Sequence, residues 1–260
     1  MKTKKRFGQH LLKYSGDARS IAGLLSESPV RILEIGPGAG ALTSALLECR
    51  EQAHVTAVEF DRDMVEHLRK RFADESRCEI IQCDILDYDP APLGSALSVT
   101  GNLPYNISAP VLQWTVKHRG LITEAVFMLQ REVAERLAAG PGGKSWSPLA
   151  IMTQLYFEIK EQFTLAPERF TPPPKVHSTV VSLRRRSGPE RELPDLFEET
   201  VRAAFASRRK LLSNNIMSAF ALSRTRVEEI LHSLDFPPTS RAEELSTERF
   251  IALAKALEKL

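Results

Sequence analysis

The sequence predicts an α/β fold built on a parallel sheet, followed by a small all-helical domain. Two observations support the sheet. Short β-rich apolar segments alternate with amphipathic segments of helical length, and a glycine-rich turn, Gly36-Pro37-Gly38-Ala39-Gly40, separates the first of these strands from the first helix. A third observation supports the helical domain, because only helical periodicity remains from Leu193 onwards, after a linker signal at Ser187-Gly188-Pro189. We therefore expect domains at residues 1–187 and 188–260.

The alternation places the elements of both domains. A helix that connects two successive strands makes them parallel and covers one face of the sheet. Pro141-Gly142-Gly143 and Pro172-Pro173-Pro174 interrupt the first domain, and Asp235-Phe236-Pro237-Pro238 separates the last two helices. Strands are predicted at 30–35, 54–59, 78–82, 97–101, 124–129, 159–165 and 178–183, and helices at 41–50, 62–73, 109–118, 131–139, 149–157, 196–206, 209–219, 224–234 and 247–260.

Composition argues against several classes of protein. The chain has 260 residues, of which 43% are hydrophobic, and this is enough for a large core. No apolar run reaches the roughly 18 residues of a membrane span, and no apolar stretch of a secretory signal follows the basic N-terminus. The three cysteines lack paired spacing and the six histidines form no metal-binding pair. We therefore expect a cytoplasmic protein without membrane contact, disulfides or a metal site.

The net charge is only +2, but the basic residues are clustered. Five of the first 13 residues are Lys or Arg and none is acidic, and two triplets, Arg184-Arg185-Arg186 and Arg208-Arg209-Lys210, occur later. Together the clusters can form a surface that binds nucleic-acid phosphates. The alternative for each cluster is an ordinary solvated face.

The segment Asn102-Leu103-Pro104-Tyr105, called the tetrad below, is the strongest functional signal in the chain. It follows an apolar strand, and because a proline keeps the preceding residue out of the helical conformation, we expect the Leu103 carbonyl to point into the mouth of a site. That carbonyl and the Asn102 amide oxygen are two acceptors for the N–H bonds of an exocyclic amine, and Tyr105 can stack on a flat ring. The arrangement suits an adenine amino group; the alternative is a plain strand-to-helix turn.

The glycine-rich turn and two carboxylates indicate a cofactor that contains a nucleoside. Ala41 stands where the dinucleotide pattern requires its third glycine, and Pro37 removes an amide donor. The turn therefore suits S-adenosylmethionine better than a pyrophosphate. Glu59 and Asp84 end the second and third strands, where they can accept hydrogen bonds from ribose hydroxyls and an adenine amine. The alternative for each carboxylate is a helix cap or a surface charge.

Taken together, these motifs resemble those of the KsgA-type family of ribosomal RNA adenine N6,N6-dimethyltransferases. The resemblance spans nearly the whole chain and departs from the family pattern near Lys144, where the run is Ser145-Trp146-Ser147-Pro148-Leu149-Ala150. Five segments carry it, in the family's order: Phe7-Gly8-Gln9-His10-Leu11-Leu12, Glu34 to Gly40, Asn102 to Tyr105, Phe170-Thr171-Pro172-Pro173-Pro174-Lys175-Val176, and Phe205 to Asn215.

The resemblance implies a Rossmann-like class I methyltransferase domain at 1–187 and a helical rRNA-binding domain at 188–260. It implies transfer of methyl groups from S-adenosyl-L-methionine to two adjacent adenosines in a 3′-terminal hairpin of small-subunit (16S) rRNA, in immature 30S particles. We expect a monomer, because no long exposed apolar seam is apparent. The implied cofactor-binding residues are Gln9, His10, Leu12, Gly36, Gly38, Gly40, Glu59, Asp84, Ile85 and Asn102. The implied catalytic residues are Asn102, Leu103, Pro104, Tyr105 and Phe170, and the implied RNA-binding residues are Lys4, Lys5, Arg6, Arg208, Arg209 and Lys210.

Three other functions compete with this interpretation. A large-subunit rRNA methyltransferase of the antibiotic-resistance (Erm) type shares the glycine turn and a similar tetrad, but the segments at 172–176 and 208–215 favour the small-subunit enzyme. A non-catalytic assembly factor is disfavoured by the intact Asn102 and Tyr105. A nicotinamide dehydrogenase is disfavoured by Ala41 and by the tetrad.

Overall fold

The computed structural model describes residues 10–26, 31–187 and 192–260, so the predicted sites Lys4, Lys5, Arg6 and Gln9 lie outside the described residues. The chain forms two compact units. The first consists of Met1–Ala134 and Tyr156–Arg186, and the second of Glu135–Leu155 and Ser187–Leu260. This division differs from the predicted one at residue 187, because Trp146 and Ile151 are buried in the core of the second unit. Packing between segments that are distant in the sequence leaves no recognisable pattern in the local sequence.

Strands and helices alternate through the first unit, as the sequence predicts. The observed bounds are β1 (Leu11–Leu12), α1 (Ser15–Ala22), β2 (Arg31–Ile35), α2 (Ala41–Cys49), β3 (His54–Glu59), α3 (Arg62–Arg71), β4 (Cys78–Gln82), β5 (Leu97–Asn102), α4 (Ser108–Lys117), β6 (Ile122–Gln130), α5 (Arg131–Ala138), β7 (Phe157–Leu165), β8 (Phe170–Thr171) and β9 (Ser178–Arg185). Helix α5 leads the chain into the second unit.

Seven strands form one sheet, in the order β4-β3-β2-β5-β6-β9-β7. The first five of these are mutually parallel, and the strand order reverses between β2 and β5. In open α/β sheets, ligands bind outside the carboxyl ends of the strands at such a reversal. The topology therefore places a site after Ile35 and Asn102, and the predicted α/β fold class is confirmed.

Strand β9 is antiparallel to both of its neighbours, β6 and β7. A parallel connection needs a crossover, usually a helix, whereas a loop with one short 3₁₀ turn and β8 joins β7 to β9. That loop also holds the second, two-stranded sheet, in which β8 pairs antiparallel with β1. The pairing of Leu12 with Phe170 brings the N-terminal segment beside the proline-rich loop.

The core of the first unit explains why its central strands are apolar throughout. Leu33, Val55, Val99 and Phe127 are all buried, as are the helical residues that face them. A parallel sheet covered on both faces needs apolar residues on both sides of each strand. The sequence therefore marks these strands by continuous apolar runs.

The second unit is built from helices around a separate core. Trp146 lies at its centre and donates a hydrogen bond from Nε1 to the Leu245 carbonyl at 2.8 Å. Helix α8 begins at Leu212, three residues later than predicted, because Ser207 to Lys210 form a turn closed by the Lys210 amide and the Ser207 carbonyl. The helices are α6 (Pro148–Tyr156), α7 (Phe197–Ala204), α8 (Leu212–Phe220), α9 (Arg224–Ser233) and α10 (Thr247–Leu257).

No helix among the described residues combines the length and the apolar character that crossing a bilayer requires. Nor do the described His, Cys, Asp and Glu side chains form a group of three that could hold a metal ion.

Candidate active site

A cleft opens in the first unit at the carboxyl ends of β2, β3 and β5. Its empty volume, including the part open to solvent, is about 410 Å³. Its walls come from three parts of the chain that the sequence singles out: the glycine turn, the tetrad and the end of the N-terminal motif. The lining residues are His10, Leu11, Gly36, Gly38, Glu59, Asn102, Leu103, Pro104 and Tyr105.

The glycine turn forms the floor of the cleft. Gly36, Gly38 and Gly40 all have positive φ, at 63°, 57° and 82°, a conformation that side chains disfavour. A Cβ on Gly38 would also lie only 2.7 Å from Cδ2 of Leu11. The backbone can therefore approach both Leu11 and a ligand only because these positions are glycine.

Glu59 is held rigidly at the end of β3. Its Oε2 accepts a hydrogen bond from the Gly38 amide at 3.1 Å, and its Oε1 accepts one from the Asp61 amide at 2.9 Å. The residue is only 4% exposed, and burial raises the pKa of its carboxyl group. Each carboxylate oxygen has a further lone pair, so Glu59 can still accept hydrogen bonds from ribose hydroxyls.

Asn102 ends β5 and presents one defined atom to the cleft. Its Nδ2 donates a hydrogen bond to the His10 carbonyl at 2.7 Å. Because a carbonyl only accepts, this bond fixes the orientation of the amide. Oδ1 is therefore the free acceptor, and none of the described residues donates a hydrogen bond to it.

The backbone that follows Asn102 provides a second acceptor. The Leu103 amide donates to the Met128 carbonyl at 3.1 Å, and the Pro104 carbonyl accepts from the Ile107 amide at 3.1 Å. The Leu103 carbonyl between them accepts no hydrogen bond from the described residues. The second predicted acceptor is thus free beside the first.

Tyr105 is fixed at both ends. Its hydroxyl and the Ser178 Oγ are 3.0 Å apart, and its ring lies 5.3 Å from the His10 ring, centroid to centroid. Burial raises the pKa of Tyr105 and the Ser178 hydrogen bond partly offsets this shift. The phenol therefore stays protonated at neutral pH.

Phe170 is a correction to the predicted site. It is only 2% exposed, belongs to the hydrophobic core and does not line the cleft. Pairing of β8 with β1 holds it there, opposite Leu12. Leu12 also packs against this core, and Leu11 lines the cleft in its place. Consecutive residues of a strand face opposite sides, so Leu11 faces the cleft when Leu12 faces the core.

Asp84 and Ile85 follow β4 but are absent from the described lining of the cleft. The Asp84 Oδ1 accepts from the Leu86 amide at 3.0 Å, so it caps a turn, and Ile85 is buried. Phe60, directly after Glu59, is 59% exposed and is also absent from the described lining of the cleft, and the sequence reasoning did not consider it. Its position next to a strand-end carboxylate is the signal that could have identified it.

The basic triplets have unequal roles. Arg184 forms an ion pair with the buried Glu124, and Arg185 donates to the Arg119 and Gly120 carbonyls. In the second unit, Arg208 donates to the carbonyls of Lys144 and Trp146. Arg208 therefore holds a loop, while its side chain stays exposed, so its role in RNA binding remains a prediction.

Arg209 and Lys210 differ from Arg208 in that no hydrogen bond from their side chains to the described residues is seen. Both side chains are exposed, and neither has an ion-pair partner in the part of the chain that the structure describes. They lie on the turn before α8, beside a shallow groove lined by Asn214, Met217 and Leu222.

Comparison with known proteins gives consistent results. A family model described as ribosomal RNA adenine dimethylase matches residues 1–259. A Pseudomonas aeruginosa protein named ribosomal RNA small subunit methyltransferase A is 39% identical over 265 residues, covering 100% of this chain and 96% of that protein. A Bordetella petrii protein of the same name is 40% identical over 261 residues, with coverages of 98% and 95%.

Two solved structures are similar to the whole chain. A dimethyladenosine transferase from Plasmodium falciparum has a TM-score of 0.81 at 26% identity, covering 96% of this chain and 98% of that one. The 23S rRNA methyltransferase ErmE has a TM-score of 0.72 at 26% identity, with coverages of 95% and 99%.

Proposed function

The chain belongs to the ribosomal RNA adenine dimethylase family, and from that premise we propose which groups carry out its reaction and on which RNA. It is an S-adenosylmethionine-dependent rRNA adenine dimethyltransferase acting on small-subunit (16S) rRNA. Its substrate is two adjacent adenosines in a 3′-terminal hairpin of that RNA, within immature 30S particles. One observation carries the mechanism: Asn102 Oδ1 and the Leu103 carbonyl are free acceptors beside a glycine-floored cleft.

The residues of the cleft fit S-adenosylmethionine. Gly36 and Gly38 line the cleft with bare backbone in a positive-φ turn, and Glu59 keeps acceptor capacity for a ribose hydroxyl. The exposed Phe60 ring, next to Glu59, provides a flat surface for the adenine of the cofactor. When bound, the cofactor supplies a methyl group on a positively charged sulfur.

The two acceptors orient the target amine. The lone pair of an adenine amine is delocalised into the ring, so the free amine is a poor nucleophile. Hydrogen bonds from its two N–H groups to Asn102 Oδ1 and the Leu103 carbonyl favour a pyramidal nitrogen and aim its lone pair at the methyl carbon. No general base is needed, because the methylated amine can release its proton to water.

Tyr105 holds the target base. A base must leave its helix to reach the cleft, at a cost of about a few kcal/mol, and stacking on one aromatic ring returns about 1–3 kcal/mol. The Ser178 hydrogen bond and the His10 ring fix the orientation of the Tyr105 ring before the base arrives. The enzyme thus loses little side-chain entropy on binding.

Transfer of the second methyl group makes a specific demand on the site. A monomethylated amine keeps one N–H, so one of the two acceptors loses its donor. We expect the site to accept this loss and to hold the first methyl group. Single-turnover product analysis tests this, since monomethyladenosine that accumulates without conversion would contradict it.

The exposed charges of Arg209 and Lys210 support RNA binding by the second unit. Immature small subunits are accordingly the proposed partner, with the enzyme acting as a monomer in the cytoplasm.

The deciding experiment measures methyl transfer to two RNAs. Immature small subunits and naked large-subunit rRNA are each incubated with the protein and the methyl donor, and the modified nucleotides are identified by mass spectrometry. We expect dimethyladenosine in the small-subunit RNA only, and none with an Asn102→Ala variant. Modification of the large-subunit RNA alone would favour the Erm-type activity instead.

A further inference from the structure

Tyr14 is an exposed aromatic residue close to the cleft. It is 46% exposed and follows β1, whose Leu11 lines the cleft. Three residues of extended chain span no more than about 11 Å. The Tyr14 ring therefore lies within a few nucleotide steps of a base bound in the cleft.

The ring is held in a fixed position. The Arg169 guanidinium lies 4.4 Å from the ring centroid, and it makes two hydrogen bonds to the buried Asp17 carboxylate, of which the Nε–Oδ2 bond is 2.8 Å. The Arg169 carbonyl also accepts from the Lys13 amide at 2.9 Å. These contacts fix the ring, and the residue as a whole stays 46% exposed.

The local charge favours a polyanion. Asp17 neutralises Arg169, but Lys13 has no carboxylate partner among the described residues. Its Nζ lies 5.8 Å from the Tyr14 ring centroid. A partly exposed aromatic ring with an exposed lysine over it is a usual combination for binding an unpaired base and its phosphate, since the flexible lysine can move to the phosphate while the base stacks on the ring.

We propose that Tyr14 is a stacking site for an unpaired base of the substrate RNA that lies next to the adenosine in the cleft. This inference rests on the proposed function, because it assumes an RNA substrate. It adds a second aromatic contact outside the cleft, whereas Phe170 is buried in the core. A competing explanation is that Tyr14 and Arg169 only attach the N-terminal segment to the loop before β8.

Two substitutions separate these explanations. Tyr14→Phe keeps a flat ring without the hydroxyl, and Tyr14→Leu keeps apolar bulk without a flat ring. The probe is a fluorescently labelled RNA hairpin with two adjacent adenosines in its loop, and binding is measured by anisotropy over a series of salt concentrations. Cofactor affinity and methyl transfer are measured for each protein.

We expect Tyr14→Phe to bind the hairpin like the unmodified protein. Tyr14→Leu should bind it between about five-fold and about a hundred-fold more weakly, as the loss of one stacked base predicts. The salt dependence should not change, because no charge is removed. Cofactor affinity should also be unchanged.

Equal RNA affinity of Tyr14→Leu and the unmodified protein would overturn the stacking site. If Tyr14→Leu also loses cofactor binding, Tyr14→Trp replaces it: a larger ring tightens hairpin binding if stacking operates, and no gain overturns the proposal. Failure of the unmodified protein to methylate any adenosine would count against the proposed function instead, so the two failures are distinguishable.

Discussion

At Asn102, a single hydrogen bond decides which atom of the side chain takes part in the reaction. Asn and Gln side chains carry a donor group and an acceptor, and only their surroundings determine which one faces a ligand. The His10 carbonyl takes the donor. The acceptor is then left for the adenine amine of the proposed mechanism, in which the N-terminal motif takes part through the His10 carbonyl.

Substitution of Asn102 should therefore affect the rate of transfer more than RNA binding. Asn102→Ala removes one of two oriented acceptors, and loss of one such group typically reduces kcat by about 100-fold or more. We expect the affinity for the hairpin RNA to change by less than about three-fold, because Tyr105 still stacks on the base. Rapid-quench kinetics and anisotropy measure the two quantities, and equal losses in both would contradict the assigned role.

Glu34 is a buried carboxyl group without an obvious function. It lies on β2, two residues before Gly36. Its Oε2 has no hydrogen-bond partner among the described residues. Burial, together with the nearby Glu59 carboxylate, raises the pKa of Glu34 from 4.5 to about 8. The protonated form is therefore favoured in the folded protein near neutral pH.

This shift predicts a pH dependence of stability. Since the folded pKa is higher than the unfolded one, the folded state binds more protons between pH 4.5 and about 8, and stability falls as pH rises through that window. Each pH unit removes up to about 1.4 kcal/mol. Glu34→Gln cannot ionise, so its stability should fall less across the window. Denaturant unfolding of both proteins at several pH values measures the difference, and parallel curves would refute the shift.

At the scale of elements, the start of β9 and strand β1 complete the active site. Ser178 is only 1% exposed and is fixed by the pairing of β9 with both β6 and β7. It holds the Tyr105 hydroxyl. Strand β1, paired with β8, supplies Leu11 above Gly38. Strand β9 thus positions Tyr105, and strand β1 places Leu11 in the lining of the cleft.

Ser178 should thus act through Tyr105, as a positioning residue. Ser178→Ala and Tyr105→Phe each remove one partner of the same hydrogen bond, and we expect each to lower kcat/KM by about three- to ten-fold. The double variant should be no worse than either single one, because the two residues share one interaction. Kinetics of the four proteins measure the coupling; additive losses would show that Ser178 acts elsewhere.

At the scale of the whole molecule, the proposed chemistry and one part of the proposed RNA surface belong to different units. The cleft lies entirely in the first unit, and the exposed charges of Arg209 and Lys210 lie in the second. Arg208 belongs to the same triplet and also serves the structure of the second unit, through the carbonyls of Lys144 and Trp146.

Removing these charges should separate affinity for RNA from affinity for the cofactor. We expect Arg209→Gln combined with Lys210→Gln to weaken binding to immature small subunits and to reduce the salt slope by about two. Cofactor affinity should not change. Arg208→Gln should in addition lower the stability of the second unit, measured by thermal unfolding, because it also removes the hydrogen bonds to the carbonyls of Lys144 and Trp146. An unchanged salt slope in the double variant would remove this surface from the RNA interface.

The sequence by itself determined the strands of the sheet and most of the cleft. The predicted strands His54–Glu59 and Cys78–Gln82 match the observed ones residue for residue. The first is buried and marked by its apolar run, whereas the second is a partly exposed edge strand marked by its position between a helix and the next turn. Gly36, Glu59, Asn102 and Tyr105 come together because the ends of parallel strands meet at one edge. The family, the cofactor and the reaction follow from these residues.

Only the tertiary structure decided the roles that depend on distant partners. Strands β1 and β8 have two residues each, too few to show a period. Whether an arginine side chain is already bonded to acceptors of its own chain depends on its neighbours in the fold. For Arg184 and Arg208 these partners are far away in sequence. Phe170 and Leu12 turned toward the core because their pairing fixes which side of the strand each one faces. Local patterns record which segments are buried, whereas a side chain's partner is set by the packing of segments that are distant in the chain.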